Sequence, residues 1–187
     1  MFSEKALFDT QVDVAKHGTS LLTSHLTETY RHGGEYLSRQ WIITTMITLI
    51  GFVVYGLVVK QLIPVNVANP RVKAGLDDVL KMGTVLIVSQ VVTSHMAGRV
   101  NFPDAWLNVT AVILAAFFLF HVVVAPQLPV VRGYQATIMD VAKFGLVSTA
   151  AHYYVGGRFN EDFLVSLGGI LGGFVLFHEV LAPRLFI

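Results

Sequence analysis

Cysteine is absent from this chain, and charge is scarce. Without cysteine there are no disulfides, thiolate nucleophiles, iron–sulfur clusters or thiolate zinc sites, so histidine and carboxylate are the only strong ligands left. Only 13% of residues are charged while 54% are hydrophobic, against about 25% charged in an ordinary soluble domain. With a mean hydropathy of +0.64, this is the composition of a polytopic membrane protein whose first partner is the lipid bilayer. Thirteen bases against twelve acids give a net charge of +1, which offers no basic field for a phosphate backbone and excludes nucleic acid as a partner. There is no phosphate-binding loop, no dinucleotide fingerprint and no nucleophile–base pattern, so a non-enzymatic protein is expected. The N-terminal stretch MFSEKALFDTQVDVAKHG lacks a basic region followed by a clean apolar core, so no cleavable signal peptide is expected.

The charges that are present recur. DVAKHG at Asp13 to Gly18, DVLKMG at Asp78 to Gly83 and DVAKFG at Asp140 to Gly145 are three copies of one pattern. A shift of 65 residues superposes Asp13 on Asp78, Lys16 on Lys81, Gly18 on Gly83, Gly33 on Gly98, Trp41 on Trp106 and Pro64 on Pro129 without a gap. Apolar composition alone does not align charges, a tryptophan and a proline, so the chain reads as tandem repeats. The third copy is shorter: Asp140 follows Asp78 by 62 residues, and Ala182-Pro183 follows Ala125-Pro126 by 57. The expected organisation is one membrane domain, 1–187, with repeats at about 12–65, 77–130 and 139–187.

Each repeat holds two candidate helices, giving an all-α bundle with a pseudo-threefold relation. Segments near 41–59, 106–124 and 163–181 each supply about 20 apolar residues, enough for one crossing. Segments near 12–29, 78–97 and 138–155 mix Leu, Val and Ala with Ser, Thr, His and Gln, a composition suited to burial against protein. Six crossings follow, with five as the alternative if the polar first segment lies in the interface. Six crossings place nine bases (Lys5, Lys16, Lys60, Arg71, Lys73, Lys81, Arg132, Lys143 and Arg184) on one side and four (Arg31, Arg39, Arg99 and Arg158) on the other. The excess puts both termini on the cytoplasmic, inner side. VNVANPRVKAG, 65–75, reads as the longest polar linker.

The charged motif supports two readings. In the structural one, Asp at the helix start meets the positive end of the macrodipole, pairs with Lys at i+3, and the lysine snorkels to lipid phosphates. In the functional one, Asp13, Lys16, Asp78, Lys81, Asp140 and Lys143 converge as a threefold ring at the inner mouth and gate a pathway. Gly18, Gly83 and Gly145 lie a turn further on, and Gly168, Gly169, Gly172 and Gly173 form two interleaved small-xxx-small pairs. All seven are expected at close helix approaches.

His121 and His178 occupy matching positions five residues before a proline, where the first repeat has Gly56. With Glu179, the one acid well inside an apolar crossing, they are candidate ion or haem ligands. No metal site and no required cofactor is expected, haem being the alternative. Glu179 is expected to partner His178 or a motif lysine, and Arg99 and Arg158 to pair with Asp104, Glu161 or Asp162. His25, His95 and His152 lie near the outer end, and Trp41 and Trp106 read as interfacial belt residues.

The segments DVLKMGTVLIVSQVV, AWLNVTAVILAAFFLFHVVV and GFVVYGLVV resemble an uncharacterised group of multi-pass membrane proteins encoded by large eukaryotic DNA viruses. In that group a charged start, a tryptophan-led apolar helix and a GFxxYH-like segment recur; here Gly56 stands where the histidine would be. The resemblance implies a viral or virus-modified membrane, such as the lipid layer beneath a capsid, and no activity. The expected function is therefore that of a non-enzymatic structural membrane protein, assembling as a homo-oligomer or with a capsid. The alternatives are a small ion or proton channel or transporter using the Asp/Lys ring, and a haem-binding membrane protein.

Overall fold

Helix boundaries follow capping chemistry, and they move the charged motif. The computed structural model describes residues 2–186. Among these, six long helices account for nearly all regular structure and there is no strand: α1 (Glu4–His32), α2 (Arg39–Leu62), α3 (Pro70–Met96), α4 (Asp104–Gln127), α5 (Gln135–Tyr154) and α6 (Glu161–Leu185). Ser3, Ser38, Asn69 and Asn160 cap α1, α2, α3 and α6, each accepting a backbone N–H of the first turn. Gly33, Gly98 and Gly156, just beyond α1, α3 and α5, take positive φ of 75°, 93° and 74°, which glycine adopts without steric penalty.

Two of these starts correct the sequence reading. The helix expected from residue 78 begins at Pro70, so about half of the presumed polar linker, residues 70–75, lies inside it. Asn69 Oδ1 accepts from Arg71 N at 2.9 Å and Val72 N at 3.3 Å, and proline at the first helical position loses no bond. α1 likewise starts at Glu4, not near 12. Asp13 and Asp78 therefore lie more than two turns inside their helices and cannot serve as caps.

α2, α3, α4 and α6 are long and apolar enough to cross a membrane. α1 is more polar but has 29 residues, about 43 Å at 1.5 Å per residue, and α5 has 20 residues, about 30 Å. Each helix packs on the next in sequence, and α6 packs on α1, so the six close into a ring. We call the end at which α1, α3 and α5 begin the inner end.

The large buried aromatics of the core come from α2, α4 and α6. Phe52 and Tyr55 on α2, Phe117 and Phe120 on α4, and Phe174 and Phe177 on α6 are at most 3% exposed. Within each pair the residues are three apart and share one face. Directly after Tyr55, Phe120 and Phe177 the backbone widens: Lys60 N–H bonds Tyr55 O, Ala125 N–H bonds Phe120 O, and Ala182 N–H bonds Phe177 O, each an i→i+5 turn. Pro126 and Pro183 contribute, since proline has no N–H and clashes with the carbonyl four residues back; α2 makes the same turn without a proline.

Close approach concentrates where α2 meets α3 and α6 meets α1. A Cβ added to Gly51 would lie 2.7 Å from Val85 Cα, one on Gly169 would lie 2.7 Å from Ser24 Cα, and one on Gly173 would overlap Ser20 Cα. Ser20 Oγ also donates to Ile170 O at 2.9 Å across that crossing. The corresponding α4–α5 contact is made by Ala116 and Val147. Gly169 and Gly173 are thus packing residues as expected. Gly168 and Gly172 are not, for nothing lies within 4 Å of a Cβ there. Gly18, Gly83 and Gly145 are also not tight notches, because an added Cβ would meet leucine methyls at 3.7 to 3.8 Å, ordinary contact.

A ring of interhelical ion pairs as the candidate functional site

Placed inside their helices, the three motifs face one another. Lys16 of α1 reaches Asp140 of α5 at 3.0 Å, Lys143 of α5 reaches Asp78 of α3 at 2.9 Å, and Lys81 of α3 reaches Asp13 of α1 at 2.7 Å. Each helix gives its lysine to one neighbour and takes the lysine of the other, so the pairing is cyclic. The local i,i+3 contacts are longer, 3.9 Å for Lys16–Asp13 and 3.2 Å for Lys143–Asp140. The six side chains are between 9% and 19% exposed. The expectation that these lysines snorkel to lipid phosphates is therefore corrected: their ammonium groups turn inward, where carboxylates replace the lost water.

α4 and α6 complete two of the three pairs. His121 Nε2 donates to Asp78 Oδ2 at 2.7 Å, and His178 Nε2 donates to Asp140 Oδ2 at 2.8 Å. Both histidines sit in the widened turns, whose changed register aims them at α3 and α5. On α2 the matching residue is Gly56, which packs against Thr10 so closely that a Cβ would overlap Thr10 Oγ1. Asp13 thus has lysine partners only. His121 and His178 are brought to one ring, but on separate carboxylates, each with its Nε2 already engaged. Glu179 does not partner His178 or a lysine; its Oε1 accepts from Thr137 Oγ1.

The residue after each lysine, His17, Met82 or Phe144, turns into the bundle just beyond the ring. His17 stacks on Phe52 with centroids 4.0 Å apart and meets Phe144 and Phe174 edge-on at 5.5 and 5.8 Å. Phe144 stacks on Phe174 at 4.4 Å and abuts Phe117 at 5.4 Å. His17 Nδ1 donates to Asp13 O at 2.8 Å, holding the imidazole in this aromatic cluster. Residue periodicity could have revealed the cluster, because Phe52, Phe117 and Phe174 recur at the repeat offset.

The outer end carries a different set of polar contacts. Arg31, not Arg99 or Arg158, pairs with Glu161, and His32 lies 3.5 Å from Asp162. His25 stacks on Trp41 at 4.4 Å and His152 on Phe163 at 4.0 Å, so Trp41 is held by the protein as well as by any interface. Glu28, His32, His152, Asn160, Asp162, Phe163 and Ser166 line an open cavity of about 530 Å³. Glu28 Oε1 accepts from Ser166 Oγ there.

No protein-family model, curated protein or solved structure matches this chain. The geometry of the ring therefore carries the functional argument by itself.

Proposed function

We propose that this protein is a small membrane transporter or channel whose inner mouth is closed by the Asp/Lys ring. In this reading all six helices cross the bilayer, the three helical hairpins are tandem repeats about a pseudo-threefold axis, and both termini lie on the inner, base-rich side. The cyclic exchange of lysines among α1, α3 and α5 is the observation that carries the reading. Removing an ion from water costs several kcal/mol even after relaxation, and apolar residues of similar volume usually replace a buried pair without loss. Six such charges at one level of an apolar bundle are therefore an inefficient adhesive. They suit a closure that must break and re-form, since water can solvate the charges once the helices part. The widened turns at the same level fit this use, for such turns recur at functional sites.

A second reading, a structural protein of a viral or virus-modified membrane, is favoured by the aromatic cluster of Phe52, Phe117, Phe144 and Phe174, which fills the space beyond the ring. There the ion pairs would set which helix neighbours which. Flux into proteoliposomes decides between the two. With potassium, chloride and pH gradients as probes, a gate predicts that Asp78→Asn with Asp140→Asn changes the flux of at least one ion relative to the parent protein. Vesicles equally tight with both proteins, each verified as folded and inserted, would leave the structural reading.

A further inference from the structure

The three ring pairs are not equivalent, and the difference follows one helix. Lys16–Asp140 and Lys143–Asp78 both involve α5, and in both the lysine shares a single carboxylate oxygen with a histidine. Asp140 Oδ2 takes Lys16 at 3.0 Å and His178 at 2.8 Å; Asp78 Oδ2 takes Lys143 at 2.9 Å and His121 at 2.7 Å. Lys81–Asp13, which ties α3 to α1, has no histidine because α2 offers Gly56. α5 is also the shortest of the six helices and starts without a side-chain cap.

We infer that the ring is a proton-binding site at two of its three pairs, His121 with Asp78 and His178 with Asp140, and that the proton releases α5 from α1 and α3. The inference rests on the gate proposed above and names its coupling ion. Of the residue types meeting at the ring, only histidine ordinarily changes charge between pH 5 and 8. The added proton passes from hydronium of the solvent to Nδ1, one O–H bond breaking as one N–H bond forms, while Nε2–H stays on the carboxylate. Each event adds one positive charge to an oxygen that already holds a lysine. Three lysines against three aspartates balance with both histidines neutral, and the ring carries two excess positive charges with both protonated. The competition falls on Lys16–Asp140 and Lys143–Asp78, and Lys81–Asp13 is spared.

The cations around each histidine repel the added charge while the ring is closed, and that repulsion is relieved when α5 moves away. His121 is faced by Asp78 and Arg71 from α3 and, through Asp78, by Lys143 from α5. His178 is faced by Asp140 and Lys143 from α5 and by Lys16 from α1, with Glu179 of its own helix bonded to Thr137. Protons have a way in, because His121 borders an open cavity of about 260 Å³ with Arg71, Ala125, Pro126 and Met139, and both histidines keep partly exposed side chains, 13% and 15%.

The cysteine-free chain allows a direct test. Spin labels on Leu7→Cys, Lys73→Cys and Ala136→Cys, taken in pairs in the full-length protein in nanodiscs, report α1–α5, α3–α5 and α1–α3 distances. Between pH 8 and pH 5 the two distances to α5 are expected to shift longer while α1–α3 stays fixed. His121→Gln, which keeps a donor to Asp78, should abolish the α3–α5 shift, and His178→Gln the α1–α5 shift. Distances that ignore pH, an α1–α3 change as large as the others, or shifts that persist in the double Gln variant would overturn the inference. Flux that alters with Asp78→Asn and Asp140→Asn but not with pH or either Gln variant would overturn it while leaving the gate. A pH-driven α5 displacement without flux of any ion would retain the proton site and remove the gate.

Discussion

Replacing Asp140 by Asn isolates what the ring contributes to folding. Asp140 is the most buried of the six charges, its side chain 9% exposed, and its carboxylate holds Lys16 at 3.0 Å, Lys143 at 3.2 Å and His178 at 2.8 Å. Lys143 keeps Asp78 at 2.9 Å after the change, but Lys16 is left with Asp13 at 3.9 Å alone. One largely but not fully buried ammonium, 14% exposed, thus loses its close partner, and breaking a fully buried pair in this way costs about 3 to 5 kcal/mol. Asparagine retains one acceptor oxygen, which favours the lower end, about 3 kcal/mol. Asp9→Asn is the control: it breaks an ion pair of similar length, Lys60–Asp9 at 3.1 Å, but the side chains are 47% and 38% exposed, so a loss of about 0 to 1 kcal/mol is expected. Adding Lys16→Met to Asp140→Asn removes the stranded charge, so the double variant should be less destabilised than the sum of the singles by roughly 1 to 3 kcal/mol. Reversible SDS unfolding in mixed micelles, followed by Trp41 and Trp106 fluorescence, measures the four variants against the parent protein. If Asp140→Asn costs no more than Asp9→Asn, or if the singles simply add, the ring is not the buried, coupled network described here.

Gly173→Ala should destabilise the bundle by about 1 to 3 kcal/mol, because its Cβ must displace the α1 backbone at Ser20, while Gly172→Ala one residue earlier should be neutral in the same unfolding assay. Gly83→Ala should be neutral or stabilising by up to about 1 kcal/mol, since its Cβ meets only Leu114 methyls at 3.8 Å and alanine is the better helix former. Gly56→Ala should lower the melting temperature, and Thr10→Ala should restore part of the loss by removing the hydroxyl that the Cβ would strike. Purified protein is expected to show no Soret absorption, as both candidate haem histidines already donate Nε2 to aspartates; a Soret band lost in His121→Ala would show that these side chains leave the ring.

How much of this was legible beforehand differs between the helices and the site. The alternation of apolar segments with Gly, Pro and Asn located the six helices, and the offset of 65 residues marked Asp13/Asp78 and Lys16/Lys81 as equivalent before any contact was known. The motif's spacing misled on one point, since Asp and Lys at i,i+3 satisfy a local pair as well as an interhelical one. Which partner wins depends on where the helix begins: with a start near residue 78, Asp78 would be a cap, and with the start at Pro70 it lies inside the bundle. Asn69-Pro70 was the available signal, a capping residue followed by a proline at the first helical position. Of the seven glycines expected at close approaches only Gly169 and Gly173 make them, because sequence spacing cannot say which face of a helix meets its neighbour.

The amino-acid sequence by itself determined the helical class, the number of helices, the threefold recurrence of the charged motif and the glycine at position 56. These are local or recurrent properties, and an apolar run long enough to cross a bilayer is legible without knowledge of its neighbours. The tertiary structure alone decided that Lys16 chooses Asp140, Lys143 chooses Asp78 and Lys81 chooses Asp13, and that two of those aspartates also hold a histidine. Pairing of that kind depends on the rotation and depth of one helix against another, to within the 3 Å reach of an ion pair. Those quantities are set by close approaches such as Gly173 on Ser20 and Gly51 on Val85, contacts between residues far apart in the chain.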